Sequence, residues 1–214
     1  MSIAKLCAER LRTISNHHGI KLKSGHAHEL VAAFFGYKSK AALLSDTLSP
    51  IENIGQAQIF VLIPSAFIDE RRKCLEDLPS GLPDTYTLGE EMFTFLAAQK
   101  MLVGSAFPSW VHLAEALTND HLQKNGNIIL PPNFGASENA RNIFDKPVYE
   151  FNPKIETIDN EIKLTVSNRY YGSSHVHFQP IDVVLTIKLQ RIAGYFGYAK
   201  PEISLIDISS QPVR

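Results

Sequence analysis

His175 and His177 carry the spacing best suited to chemistry in this chain. On an extended segment side chains alternate, so both imidazoles share one face while Val176 and Phe178 take the other. That H-x-H pattern suits a metal ion, which also needs a third ligand, and the sequence identifies none. Outward-facing histidines on a half-exposed strand satisfy the same spacing. His26 and His28 have the same separation in a helical pattern, where residues two apart point about 200° apart and cannot share an ion. They are placed at or just before a helix start. His17 and His18 fall at the end of the first helix, where imidazoles suit the dipole. Cys74 follows Arg71, Arg72 and Lys73, cations that can lower a thiol pKa. Helical spacing instead puts Cys74 on an inward stripe with Phe67 and Leu78, and it is read as core.

The stretch RIAGYFGYAK, Arg191 to Lys200, sets Tyr195, Phe196 and Tyr198 between glycines and cations. Aromatics so placed can stack on RNA bases. The spacing departs from an RNP1 motif, no βαββαβ order surrounds it, and aromatic-glycine pairs equally mark bends in ordinary sheets. No Walker loop, GxGxxG, nucleophile elbow, HExxH or EF-hand loop occurs, so no catalytic residue is assigned.

Charge is the stronger signal. The 214-residue chain has a net charge of −1, yet residues 1–40 hold seven cations (Lys5, Arg10, Arg12, Lys21, Lys23, Lys38, Lys40) against Glu9 and Glu29, a local +5. The remainder is then −6. Such a head attracts either a polyanion or its own acidic body. Lys21, Lys23, Lys38 and Lys40 are the candidate nucleic-acid contacts. Helix 27–35, a Gly-Tyr-Lys-Ser turn and a second short helix bearing Lys38 and Lys40 resemble a helix-turn-helix. That second helix is Ala-rich, whereas base readout wants Arg, Asn or Gln. The alternative is a packing or dimerisation module, with Phe34, Phe35 and Tyr37 as its interaction residues.

The elements that must position these groups follow from periodicity. Ser2 can cap a helix over 3–16 whose apolar stripe is Ile3, Leu6, Cys7, Leu11 and Ile14, with Gly19 as its stop. Ala27, Leu30, Val31, Phe34 and Phe35 predict the second helix, between Ser24 and Gly36, and Ser39 starts a short third. Ala57 to Ile63 reads as a strand ending at Pro64. Helices are expected over 66–78, over 88–102 from a Thr87–Glu90 capping box, and over 110–123 with Gly126 as the stop. From about residue 128 the period falls to two. Strands are expected over 161–167, 182–189 and 202–208, with a short one at His175–Phe178 and a two-residue hairpin turn at Asp159-Asn160.

The segment LRTISNHHGIKLKSGHAHELVAAFFGYKSKAALL, Leu11 to Leu44, resembles a short helical module of uncharacterised bacterial proteins, some carried on mobile elements. A related pattern precedes glyoxalase-superfamily domains. The matching positions are Gly19-Ile20, Ser24, His28 to Ala32, Gly36-Tyr37, Ser39, Ala42 and Leu43. The resemblance implies a bacterial origin and carries over no catalytic residue. The C-terminal strands depart from a glyoxalase domain in having no intervening helix and no paired His/Glu pattern.

These readings predict an α+β protein: an N-terminal helical bundle, a helical middle with one or two strands, and a mainly antiparallel C-terminal sheet. The expected domains are a helix-turn-helix-like module at 1–48 and an α+β domain at 49–214, helix-rich over 57–126 and strand-rich over 128–208. Ordinary globular composition, two distant cysteines, no apolar leader and no membrane-length apolar run point to a cytoplasmic protein without disulfides. The function expected is non-enzymatic binding, of duplex DNA or a protein, through the basic head. A metal-dependent enzyme using the C-terminal sheet is the first alternative, and a structural or homodimer-forming protein the second.

Overall fold

Ser2 opens the first helix, its side chain accepting from the Lys5 N–H at 3.3 Å, and α1 runs Ile3–His17. Cys7, Leu11 and Ile14 are buried along one stripe, and Gly19, at φ +73°, turns the chain out of the helix. The computed structural model describes residues 2–62, 65–129, 151–170 and 181–210. The second helix, α2, is Ser24–Phe34, beginning three residues before the expected start at 27. Gly36, at φ +84°, ends it, and Ser39 then caps α3, Lys40–Ser45, by accepting from the Ala42 N–H at 3.1 Å.

After Pro50 the chain makes a 3-10 helix, Ile51–Gln56, that the Pro/Gly punctuation had concealed, and it buries Ile51 and Ile54. Strand β1 is Ile59–Val61, shorter than the expected 57–63. Helix α4 is Ser65–Cys74 and ends four residues early. Its buried residue is Ile68, while Phe67 is 43% exposed and Cys74 is exposed, so the expected inward stripe through Phe67 and Cys74 is corrected. Helix α5 is Thr85–Ala98, not 88–102. Asp84 caps it, accepting from both the N–H and the hydroxyl of Thr87 at 2.9 Å, so Thr87 lies inside the helix and the expected capping box does not form. At the other end Lys100, a non-glycine residue at φ +55°, stops the helix before Met101.

The chain divides into two compact units: residues 1–109 with 190–200, and residues 110–189 with 201–214. Contacts in the first unit run across residue 48, the expected module boundary. One apolar core there joins Leu11, Leu30 and Phe35 to Ile54, Phe60, Met92 and Leu96, and takes in Ala193 and Phe196 from near the other end of the chain. Helix α2 packs on α1, α3 and α4, and α5 on α1 and α4. The unit's small sheet pairs β1 with β2, Ser105–Phe107, in parallel, and with β6, Gly197–Tyr198, in antiparallel register Ile59↔Tyr198. Gly104 is required at the start of this pairing. A Cβ there would run into the backbone carbonyl of Gln58, which accepts the Ser105 N–H at 2.9 Å.

The second unit contains α6, Trp110–Ile129, which passes through Gly126 rather than stopping at it. Its strands are β3, Lys154–Ile158, β4, Glu161–Tyr170, most of β5, Ile181–Ala193, and β7, Glu202–Ser210. Strands β3 and β4 form the expected hairpin, with Ile158 opposite Glu161 and Asp159 at φ +50° in the turn. β5 neighbours β4 and pairs antiparallel with β7. Of the middle helices, α6 covers this sheet, through Leu122 against Tyr170, Ile181, Val183 and Leu185, whereas α4 and α5 pack within the first unit. Helices dominate the first half and antiparallel strands the second, so the fold is α+β. Among the described residues no helix is long and apolar enough to cross a membrane.

Candidate functional site

Of the four candidate lysines, Lys23 is taken up by the chain itself, its ammonium 3.3 Å from Asp77. Lys21, Lys38 and Lys40 are exposed, and among the described residues none makes an ion pair. Arg10 pairs with Glu91 at 3.0 Å, so the basic head and the more acidic remainder do attract each other at two points. A third contact has the opposite polarity. Glu29 Oε2 accepts from Arg71 Nη2 at 2.6 Å and from the Lys40 backbone N–H at 3.0 Å. The start of α3 is therefore already capped by a carboxylate, at the point where a recognition helix would offer its N–H groups to a phosphate. Six residues make less than two turns, short for reading a major groove about 12 Å wide. His26 lies in the first turn of α2, at the helix start as expected, and His28 lies further inside the helix. Burial, and then the Lys40 charge, hold the His28 imidazole below its usual 6.5, against the pull of Glu29 and Glu9.

Phe34, Phe35 and Tyr37 turn inward. Phe34 and Phe35 meet edge to face at 5.1 Å, and each lies against Phe196, at 5.3 and 5.8 Å, in a cluster that includes Phe60 and Phe93. Within RIAGYFGYAK, therefore, Phe196 and Tyr198 are core, with 0% and 1% of their surface exposed, and the glycine-aromatic pattern is a bend between β5 and β6. Base stacking by that stretch is ruled out for these two rings. Tyr195 is the exposed one, and it carries the Arg191 guanidinium 3.9 Å above its ring.

A polar cluster that the sequence did not announce sits beside these rings. Asp46 Oδ2 accepts from Arg191 Nη2 at 2.8 Å and from the Tyr37 hydroxyl at 2.7 Å. Asp46 Oδ1 accepts the backbone N–H groups of Leu48 and Ser49, each at 2.9 Å. The Arg191 and Asp46 side chains are only 7% and 10% exposed. Burial works to raise the Asp46 pKa, but the Tyr37 and Ser49 hydrogen bonds and the Arg191 charge outweigh it and hold the carboxyl below its usual 3.8. Burial and the carboxylate push the Tyr37 phenol well above its ordinary range. The cluster joins the segment after α3 to the end of β5. A readable signal existed: Arg191 stands in the inward register of β5, shared with Ile187, Leu189 and Ala193, where an unpaired cation would be costly.

The first unit also holds a cavity of about 440 Å³, walled by Phe34, Leu62, Ile68, Phe93 and Pro108, with Thr85, Tyr86, Gly89, Glu90 and Thr94 of α5 along one side. Thr85 donates to Asp69, and Tyr86 donates to Glu90 Oε1 at 2.7 Å. Gly89 stands inside α5, where alanine would favour the helix by about 1 kcal/mol. Its φ is not positive, and among the described residues a Cβ there would meet nothing within 4 Å.

His175 and His177 lie outside the described residues, and among the described ones no group of three or more His, Cys, Asp or Glu side chains gathers as a metal site would require. Cys7 and Cys74 are both free thiols, and burial pushes Cys7 up to about 12. Comparison with protein-family models, with curated proteins and with solved structures finds no match for the chain.

Proposed function

We propose that this is a non-enzymatic bacterial accessory or regulatory protein of the cytoplasm that binds duplex DNA along its backbone through the basic N-terminal helices. The observation that carries the reading is the exposure of Lys21, Lys38 and Lys40 without an ion pair among the described residues, whereas Lys23 and Arg10 pair with Asp77 and Glu91. Lys21 precedes α2 and Lys38 follows it. An 11-residue helix spans roughly 16 Å, so only an extended polyanion reaches both ends. The short, carboxylate-capped α3 favours phosphate contact over base readout, so sequence preference should be slight.

Three such contacts should give an affinity that falls roughly 50-fold between about 50 and 200 mM salt. In gel-shift titrations the Lys21, Lys23, Lys38 and Lys40 to alanine variant should lose most of the binding and flatten that salt slope. Lys23→Ala alone should matter least, because Asp77 beside that ammonium offsets part of its attraction for a phosphate. Equal binding by wild type and the fourfold variant, or none by either, would remove the reading.

His28 supplies a pH test. A bound polyanion stabilises its cationic form, so affinity should rise as pH falls below 6.5, and His28→Ala should abolish that component. An unchanged pH profile in the variant would separate His28 from the contact surface.

The bacterial origin and any link to mobile elements rest on the resemblance of residues 11–44, and the cytoplasmic location on the two free thiols. The structural alternative has one observation in its favour, the buried Asp46–Arg191 cluster, in which both Asp46 oxygens are taken up by contacts that tie chain segments together.

A further inference from the structure

We propose that the cavity over α5 is a binding site for a small apolar amine, an aromatic or short aliphatic body carrying one cationic nitrogen. Its volume of about 440 Å³ falls within the range of small-molecule pockets, and its walls are mainly Phe34, Leu62, Ile68, Phe93 and Pro108. Two further observations point to a ligand and define its chemistry.

The first is Gly89. Nothing in the backbone requires a glycine there: its φ is not in the left-handed region, and among the described residues no neighbour would meet an added Cβ. A side chain at this position of α5 would do one thing, which is to occupy the cavity that Gly89 lines. The helix gives up propensity and the protein keeps an open apolar space.

The second is charge. Glu90 is the only charged side chain among the described residues lining the cavity. One of its oxygens is oriented by the Tyr86 hydroxyl at 2.7 Å, and no lysine or arginine among the described residues pairs with it. A carboxylate beside the rings of Tyr86, Phe93 and Phe34 forms the usual surroundings of an alkylammonium group, by ion pairing and by attraction to the aromatic faces. An anion would meet like charge and find no cation among the described residues of the wall.

Three indoles of similar shape separate these features: tryptamine, neutral 3-methylindole and anionic indole-3-propionate, each titrated against the full-length protein by ligand-observed NMR. Tryptamine should bind most tightly and indole-3-propionate most weakly, with a gap of roughly fivefold or more, the size of a partly exposed ion pair. Gly89→Leu fills the space and should remove binding of all three, whereas Gly89→Ala should retain most of it. Glu90→Gln, an exposed substitution that leaves the wall and the fold intact, should bring tryptamine and indole-3-propionate close together. The fourfold lysine variant should bind tryptamine as wild type does, so failure of the DNA reading and failure of this one are distinguishable. No binding of tryptamine to wild type, undiminished binding to Gly89→Leu, or a preference for the anion that survives in Glu90→Gln would overturn the proposal.

Discussion

Arg191→Ala should lower the free energy of unfolding by about 3–5 kcal/mol, because it leaves the Asp46 carboxylate buried with its charge partner gone. Asp46→Asn should cost a comparable amount, since it strands the guanidinium instead. Urea melts on both variants measure the effect directly. Replacing the two residues together by apolar ones, Asp46→Leu with Arg191→Met, should recover much of the loss, as removal of a whole buried pair often does. Losses that simply add in the double variant would show that the two groups do not act as a pair. The pH dependence has a fixed sign. The folded pKa of Asp46 lies below its ordinary 3.8, so its contribution is complete above that value and is lost as pH falls through the lower, folded value. Asp46→Asn should therefore flatten the acid limb of the stability profile below pH 3.8. Tyr37→Phe keeps the ring and removes one donor to Asp46 Oδ2, so its cost should be smaller, about 1–2 kcal/mol.

Phe35→Ala should destabilise the protein by about 3–5 kcal/mol without changing its mass in solution. The ring is fully buried among Phe34, Phe196 and the rest of the first unit's core, so truncation opens a space that the surrounding side chains cannot close. Phe34→Ala, at 7% exposure and facing the cavity, should cost less. Light scattering beside each melt distinguishes the two roles weighed for these aromatics. A dimer that dissociates on truncation would assign them to contact between copies, whereas an unchanged mass with a large stability loss assigns them to packing within the chain.

Much of the layout could be read because long stretches repeat their apolar residues at a helical or strand period. Leu11, Leu30, Val183 and Leu185 are buried where the pattern put them. Boundaries were read less well, because a helix end is decided by one local competition. Asp84 outcompetes Thr87 as the cap of α5, and Lys100 stops that helix with a backbone conformation no sequence period encodes. Periodicity also says which face of a segment is buried, not which other segment buries it. That is why the aromatic-glycine stretch around Phe196 could be taken for an exposed stacking surface when it completes the helical core. Arg191 was legible in principle as a cation in an inward register, whereas its partner Asp46, 145 positions away, was not. Gly89 gave no signal at all. A glycine inside a helix looks like a small local weakness until the space above it is known.

The first unit is assembled from residues 1–109 and 190–200, so its sequence is interrupted by the 80 residues from 110 to 189. During vectorial synthesis, which delivers about 5–20 residues per second, the N-terminal helices leave the ribosome well before Phe196 and Arg191 exist. Over that interval Phe34 and Phe35 have no Phe196 to pack on, and Asp46 has no counterion. Until residues 190–200 are made, the aromatic cluster of the first unit is incomplete. The segment 190–200 thus acts as a latch that closes the first unit only after the intervening 80 residues have been made.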